Sequence, residues 1–313
     1  MLRSLARNTL FELARNASET TRREVLARLA QDSCSYEVFQ ALGNVFRVRD
    51  ISIDGEYGVI EGSIADARIM AAYARGELWA KDVTDRLLEF FTRRGAGTYI
   101  DLGANIGLTT IPVARFPGMS VTSFEPEPAN FRYLCRNVAV NCPDAKVRLI
   151  DAAVLDYSGT VDLEVDALNQ GDNRVHHSSA NGLFDEVSRP IIKVRAMRLD
   201  ELLDDGPLPR PLAIKIDTQG AEARIFAGGR NVIADADFVC FEYTPYLLDR
   251  AGGDVRLLVD AVEESFSEGA ISPGDQHSAL NWRPISEITG IMSEHRSQVD
   301  QNPYLYDDVY LRK

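Results

Sequence analysis

The stretch from Tyr99 to Glu125 constrains the fold of this chain more than any other. It reads Y-I-D-L-G-A-N-I-G-L-T-T-I-P-V-A-R and, after a short gap, V-T-S-F-E-P-E-P. Residues 99–102 form an apolar run closed by Gly103, the pattern of a parallel strand buried on both faces. Asp101, Gly103, Asn105 and Gly107 alternate through a tight turn, and residues 108–114 read as a helix. A second apolar run, 121–124, stops at Glu125. This is a nucleotide-type site. Glycines let the backbone turn sharply and approach a ligand, and a helix start offers free N–H groups. An acid about 20 residues further on, at the tip of the next strand, is placed to accept ribose hydroxyls.

The departure from the dinucleotide pattern is informative. G-x-G-x-x-G would need glycines at 103, 105 and 108, and this chain has Gly103, Asn105 and Leu108. The helix start carries threonines and no lysine for a phosphate. A cationic ligand beside Asp101 fits this better than a pyrophosphate. The competing reading is an ordinary strand–turn–helix with a structural glycine.

The rest of the chain repeats the rhythm. Residues 83–93 and 131–138 carry amphipathic helical stripes. A third strand, 147–150, ends at Asp151-Ala152-Ala153. A fourth, 212–216, ends at Asp217, followed by Thr218-Gln219-Gly220 and a helix bearing Glu222. A fifth, 238–241, ends at Glu242. Strand–helix alternation of this kind predicts an α/β fold with a doubly wound, mostly parallel sheet. Ligands in such sheets bind at the carboxyl ends of the strands, where Asp101, Glu125, Asp151, Asp217 and Glu242 all fall. Residues 159–165 and 191–194 read as inserted strands. The polar stretch between them predicts a lid loop over 168–190, since long structureless loops in compact domains are usually functional. Residues 1–76 read as an N-terminal α+β extension, with helices over 1–30, short strands over 39–64 and a helix over 66–75. Residues 77–313 form the main domain. Tyr73 and Trp79 either contact ligand or simply pack.

Three segments together, D-L-G-A-N-I-G-L-T-T, F-E-P-E-P and I-K-I-D-T-Q-G-A-E at 214–222, resemble the FkbM family of S-adenosylmethionine (SAM)-dependent methyltransferases. The resemblance covers about residues 79–243. It implies a class I, Rossmann-like methyltransferase sheet whose last strand, 307–311, lies antiparallel. It implies SAM as cofactor, held by Asp101, Gly103, Asn105, Gly107 and Glu125, with Asp151 and Ala152 at the adenine. It also implies a hydroxyl acceptor on a sugar, glycan or secondary metabolite, and a Lys215 paired with a carboxylate near the site.

Methyl transfer to oxygen needs positioning and a base or metal to make the oxygen nucleophilic. Asp217 and Glu242 are the candidate catalytic residues. Either Asp217 takes the hydroxyl proton directly, or the two acids share a divalent cation such as Mg²⁺ or Ca²⁺ with the substrate. The pair His176-His177, and His177 in particular, offers an alternative base of near-neutral pKa. An NAD-type oxidoreductase is disfavoured by Asn105 and Leu108. A non-catalytic SAM-binding scaffold or sensor has to explain why Asp101, Gly103, Gly107, Glu125 and Asp217 are all intact, and fold alone does not decide this.

Composition bounds the remainder. A chain of 313 residues with 45% apolar content supports a large core. A net charge of −13 argues against a nucleic-acid or anionic membrane surface. Cys34, Cys135, Cys142 and Cys240 form no C-x-x-C pair and read as free thiols of a reducing compartment. No secretory signal and no membrane-length apolar run is visible, so the expected location is cytoplasmic. Beyond the small-molecule or glycan acceptor, the helices of the N-terminal extension read either as packing helices or as the seam of a homodimer.

Overall fold

Glycine-closed apolar runs alternating with amphipathic stretches become a mixed sheet covered by helices in the computed structural model, which describes residues 17–31, 40, 43–177, 182–274 and 279–313. The N-terminal part contributes α1 (Glu19–Gln31), a hairpin of β1 (Asp50–Gly55) and β2 (Gly58–Ser63), and α2 (Ile69–Ala74). Next come α3 (Lys81–Arg94), β3 (Thr98–Leu102), α4 (Thr110–Ala114), β4 (Ser120–Phe124), α5 (Pro128–Asn141) and β5 (Lys146–Ile150). The inserted strands are β6 (Ala153–Val154), β7 (Gly159–Glu164), β8 (Arg174–Val175) and β9 (Ile191–Met197). The chain returns through β10 (Leu212–Ile216), α6 (Glu222–Gly228), α7 (Arg230–Asp235), β11 (Phe238–Tyr243) and α8 (Pro245–Arg250). It ends with α9 (Val255–Ser265), β12 (Glu268–Pro273), β13 (Arg283–Pro284), α10 (Ile285–Ser297) and β14 (Asp307–Arg312).

The main sheet runs β5-β4-β3-β10-β11-β14-β12-β13. The five strands from β5 to β11 are parallel. The last strand, β14, lies antiparallel between β11 and β12, as the class I methyltransferase order requires. The chain leaves β3 towards β5 and returns to β10 on the other side, so β3 and β10 flank the switch point. In such a sheet the ligand crevice opens there.

Each central strand is buried on both faces, which is why its sequence is nearly continuous in apolar residues. Ile100, Leu102, Ile214, Ile216 and Phe241 pack with α6, α9 and the inserted strands on one face. Tyr99, Val121, Ala213 and Cys240 pack on the other with Leu87 and Phe91 of α3, Ile111 of α4 and Leu134 of α5.

The extension shares that second core, through Leu26, Ile51, Ile53, Ile60 and Tyr73. Two asparagines one turn apart on α5 act as a substitute strand edge for β2. Asn137 accepts from Glu61 N (2.7 Å) and donates to Glu61 O (2.9 Å). Asn141 accepts from Val59 N (3.0 Å) and donates to Val59 O (2.7 Å). Tyr73 packs rather than facing ligand: its hydroxyl donates to Gly58 O and accepts from Tyr57 N. The expected helix before residue 17, and the dimerisation assigned to it, lie outside the described residues, as does Cys34. Cys135, Cys142 and Cys240 are free thiols.

The inserted strands form a separate sheet, β6-β9-β7-β8. The stretch expected to be a structureless lid is ordered in part: it holds β8 and a single 3₁₀ turn at Glu186–Ser188. Residues 178–181 lie outside the described residues. Strands β12 and β13 escape the sequence pattern because E-G-A-I-S-P has neither a long apolar run nor clean alternation. Among the described residues no helix is long and apolar enough to cross a membrane.

Candidate active site

The glycine turn works through its backbone. Gly103, Asn105 and Gly107 all have positive φ, at +80°, +51° and +100°. At Gly103 a side chain is excluded outright, because a Cβ would stand 1.9 Å from the Asp217 carbonyl oxygen. That close approach locks the ends of β3 and β10 together. Asn105 takes the left-handed conformation that asparagine tolerates better than most residues. Its N–H donates to Glu125 Oε2 at 2.9 Å, and its side-chain amide donates to Gln170 O at 2.8 Å. Asn130 Nδ2 donates to the same Gln170 carbonyl at 3.0 Å. The turn is thereby tied to the acid after β4 and to the loop before β8.

Glu125 is 4% exposed. One carboxyl oxygen accepts from Asn105 N and the other from Glu127 N (2.9 Å each). Burial pushes its pKa up to about 8, although those two N–H groups oppose the rise. Each oxygen keeps a second lone pair for a diol.

Asp101 takes a different place from the one expected. It is 0% exposed and lies beneath the turn, where Thr109 and Thr110 hydroxyls donate to Oδ2 at 2.7 Å each. The parallel register sets Lys215 beside it. Lys215 Nζ donates to Gly103 O at 2.9 Å and stands 3.4 Å from Asp101 Oδ1 and 3.5 Å from Asp217 Oδ2. Burial alone would lower the lysine pKa, but the two carboxylates outweigh it and the pKa is raised. A buried ammonium held charged between two acids braces the turn against β10. Asp101 is thus paired with Lys215 and does not line the cavity of the site.

Asp217 and Glu242 sit at the carboxyl ends of adjacent parallel strands and are joined through one side chain. Gln219, at φ +55°, donates from Nε2 to Asp217 Oδ1 (2.8 Å) and to Glu242 Oε1 (3.2 Å). Thr244 Oγ1 also donates to Glu242 Oε1, at 3.1 Å. Burial raises the Glu242 pKa well above the usual carboxyl range, with Asp217 and Glu222 adding repulsion. Glu222 folds back under the loop to accept from Thr218 N, Thr218 Oγ1 and Gly220 N; burial lifts its pKa to about 7. Gln219 lies inside the I-K-I-D-T-Q-G-A-E segment but is not among the expected site residues; its positive φ in the strand-end turn is the feature that sets it apart.

These groups open onto one cavity of about 1090 Å³. Gly103, Asn105, Glu125, Ala152, Asp217, Gln219 and Glu242 all line it, as does Trp79, which is 41% exposed. Residues of the extension, Ala67 to Ile69 and Ala72, complete the wall. Besides Asp101, three expected residues are not brought there. Gly107 shapes the turn from behind. Asp151 is solvent-exposed, turned out by the backbone that buries Ala152. His177 is also exposed, and its ring sits against Gly252, outside the cavity lining. His176 is engaged by Glu164 at 2.8 Å. The shared divalent cation finds no support: among the described residues no three His, Cys, Asp or Glu side chains are grouped to hold a metal ion.

A family model described as the methyltransferase FkbM domain matches residues 101–266. Methyltransferase sdnD of Sordaria araneosa is 26% identical over 152 residues, covering 41% of this chain and 59% of that protein. Hexuronic acid methyltransferase AglP of Haloferax volcanii is 26% identical over 142 residues, covering 45% and 54%. The 2-O-methyltransferase NoeI of Sinorhizobium fredii is 24% identical over 173 residues, covering 51% and 69%. The chain spans little more than half the length of the first two relatives.

Proposed function

The chain belongs to the methyltransferase FkbM family, and from that premise we propose that it transfers the methyl group of SAM to a hydroxyl oxygen of a sugar or a related small molecule. The observation that carries the reading is that Asp217 and Glu242, linked by Gln219, line the same cavity as the glycine turn and Glu125. The sugar class is supported by the names of two relatives, a hexuronic acid methyltransferase and a 2-O-methyltransferase.

The residues fit the donor. Glu125 has lone pairs free for the ribose hydroxyls, Ala152 offers a flat apolar contact for the adenine, and the turn presents backbone rather than side chains. When bound, the sulfonium supplies an activated methyl group. The protein's work is then orientation and proton transfer. Asp217 is the base: Lys215 and Gln219 fix its carboxylate from two sides, so that it can hold the acceptor hydroxyl in line and take its proton as the O–C bond forms. Glu242, joined to Asp217 through Gln219, helps keep the acceptor oxygen, or a neighbouring hydroxyl, in place. Neither role needs a cation. The three free thiols are consistent with a reducing, cytoplasmic setting.

The test is calorimetric titration with SAM, S-adenosylhomocysteine and NAD, followed by methyl transfer from labelled SAM to a panel of glycosides. Micromolar binding of the first two, none of NAD, and label on a sugar oxygen are expected. Binding of NAD alone would overturn the donor assignment. SAM binding with no transfer to any hydroxyl would favour a scaffold.

A further inference from the structure

A buried ionic cluster lies in the segment between β7 and β9 and lines the same cavity as Asp217 and Glu242. Arg174 and Arg189 have side chains only 2% and 5% exposed, and both line the cavity. Arg174 pairs through Nη2 with Asp172 Oδ1, and its Nη1 stands 3.6 Å from Glu186 Oε1. Arg189 donates to Asp172 O (2.7 Å) and Asp172 Oδ2 (2.6 Å), and lies 3.1 Å from Asp166 Oδ2. The cluster still leaves donors over. Arg174 Nε and Nη1 and Arg189 Nε are buried without a hydrogen-bond acceptor among the described residues. A guanidinium taken out of water keeps unmet donors only at a cost, unless something arrives to meet them.

The neighbours indicate what arrives. Phe184 lies under the Arg174 guanidinium at 5.1 Å. Tyr304, 62% exposed, meets the edge of Phe184 at 6.0 Å, and Tyr246 lies on its other side at 5.8 Å. Phe184 and Tyr304 both line the cavity. Aromatic faces at a cavity mouth suit the C–H face of a pyranose ring. Guanidinium N–H groups lining the same cavity suit a planar carboxylate, which they bind better than an ammonium would.

We propose that the acceptor is an acidic sugar, a uronate whose carboxylate is read by Arg174 and Arg189 while its ring rests on Phe184 and Tyr304. This rests on the methyl-transfer reading above and deepens it. The carboxylate sets which hydroxyl stands at Asp217, so the arginines are specificity residues.

The test uses binding, so that it does not depend on turnover. Protein saturated with S-adenosylhomocysteine is titrated with 4-nitrophenyl β-D-glucuronide, its carboxamide and the matching glucoside, and with the galacto-configured set. A charge-assisted hydrogen bond to a buried guanidinium predicts that one glucuronide or galacturonide binds at least about tenfold more tightly than its amide and neutral counterparts. Arg174→Gln should erase that preference and leave S-adenosylhomocysteine affinity within about twofold. Equal binding of acid and amide, no sugar binding at all, or a preference that survives Arg174→Gln each overturns the proposal. So does a loss of cofactor affinity in the variant, which would assign the guanidinium to the carboxylate of the donor. Should Arg174→Gln fail to fold, the three-ligand comparison on the unmodified protein decides alone. Arg174→Lys, which keeps the charge, should retain part of the preference. Failure of the parent reading looks different, because the first titration with S-adenosylhomocysteine would show no binding.

Discussion

Donor binding should be coupled to the ionisation of Glu125. In the open site burial holds this carboxyl's pKa at about 8, with the N–H groups of Glu127 and Asn105 opposing the rise, the Glu127 charge adding to it and Lys215 reducing it. A ribose diol adds two O–H donors to the carboxylate and favours the charged form. Binding below the raised pKa therefore releases a proton. With a pKa of about 8, the ionised fraction of the free protein climbs from about one in a hundred near pH 6 to about one half near pH 8, so SAM affinity should improve about fiftyfold over that window and level off above it. The stability sign runs the other way. The folded pKa lies above the ordinary value of 4.5, so the unliganded protein is most stable with Glu125 protonated and loses stability as pH rises between those values. The assay is calorimetry from about pH 6 to about pH 9 in phosphate and in Tris, whose different ionisation enthalpies report about one proton released per SAM near neutrality. Glu125→Gln cannot ionise; it should lose the steep pH dependence, and it also subtracts the ligand's own titration. A wild-type Kd that stays flat across the window, or the same slope in the variant, would refute the assignment of Glu125 to the ribose.

Three other outcomes are expected. Asp217→Asn keeps the hydrogen bond from Gln219 but removes the base, so methyl transfer should fall at least about a hundredfold while SAM affinity stays nearly unchanged; a normal rate would move the base elsewhere. Gly103→Ala forces a Cβ to within 1.9 Å of the Asp217 carbonyl oxygen at a φ of +80°. It should cost more than about 2 kcal/mol and abolish SAM binding, read by thermal melting with and without SAM; an unshifted melting temperature contradicts the tight β3–β10 closure. Asn137→Ala strips partners from Glu61 N, Glu61 O and Ile106 O. Its expected cost in urea unfolding is about 2–4 kcal/mol, and a change within about 0.5 kcal/mol would mean that the hairpin is not held by this side chain.

The sequence carried what short-range physics encodes. Residues 99–102 and 212–216 are apolar without alternation because both faces of β3 and β10 are buried, so their identity as central strands and the acids at their tips could be read directly. The turn was legible for a similar reason: Gly103 and Gly107 mark backbone conformations that few other residues adopt. Glu125, Asp217 and Glu242 were legible as strand-end acids opening onto one crevice, since the doubly wound order sends every such end to the same side of the sheet.

What the sequence could not decide was which acid meets the ligand and which meets the protein. Asp101 and Glu125 look alike in the chain, yet Thr109, Thr110 and Lys215 close around the first while the second keeps a face to the cavity. That distinction depends on the register of β10 against β3, which pairs residues more than a hundred positions apart. His177 was attractive for its pKa, but a loop's path over Gly252 carries it away from the cavity. The link through Gln219, the asparagine edge on α5 and the unmet donors of Arg174 and Arg189 likewise arise only when distant segments pack. The sequence by itself determined the central parallel strands and the end at which their acids gather, because burial period and backbone freedom are local properties. The tertiary structure alone decided each carboxylate's partners, and with them its charge, because burial and neighbouring charge set a pKa and neither exists until the chain has closed.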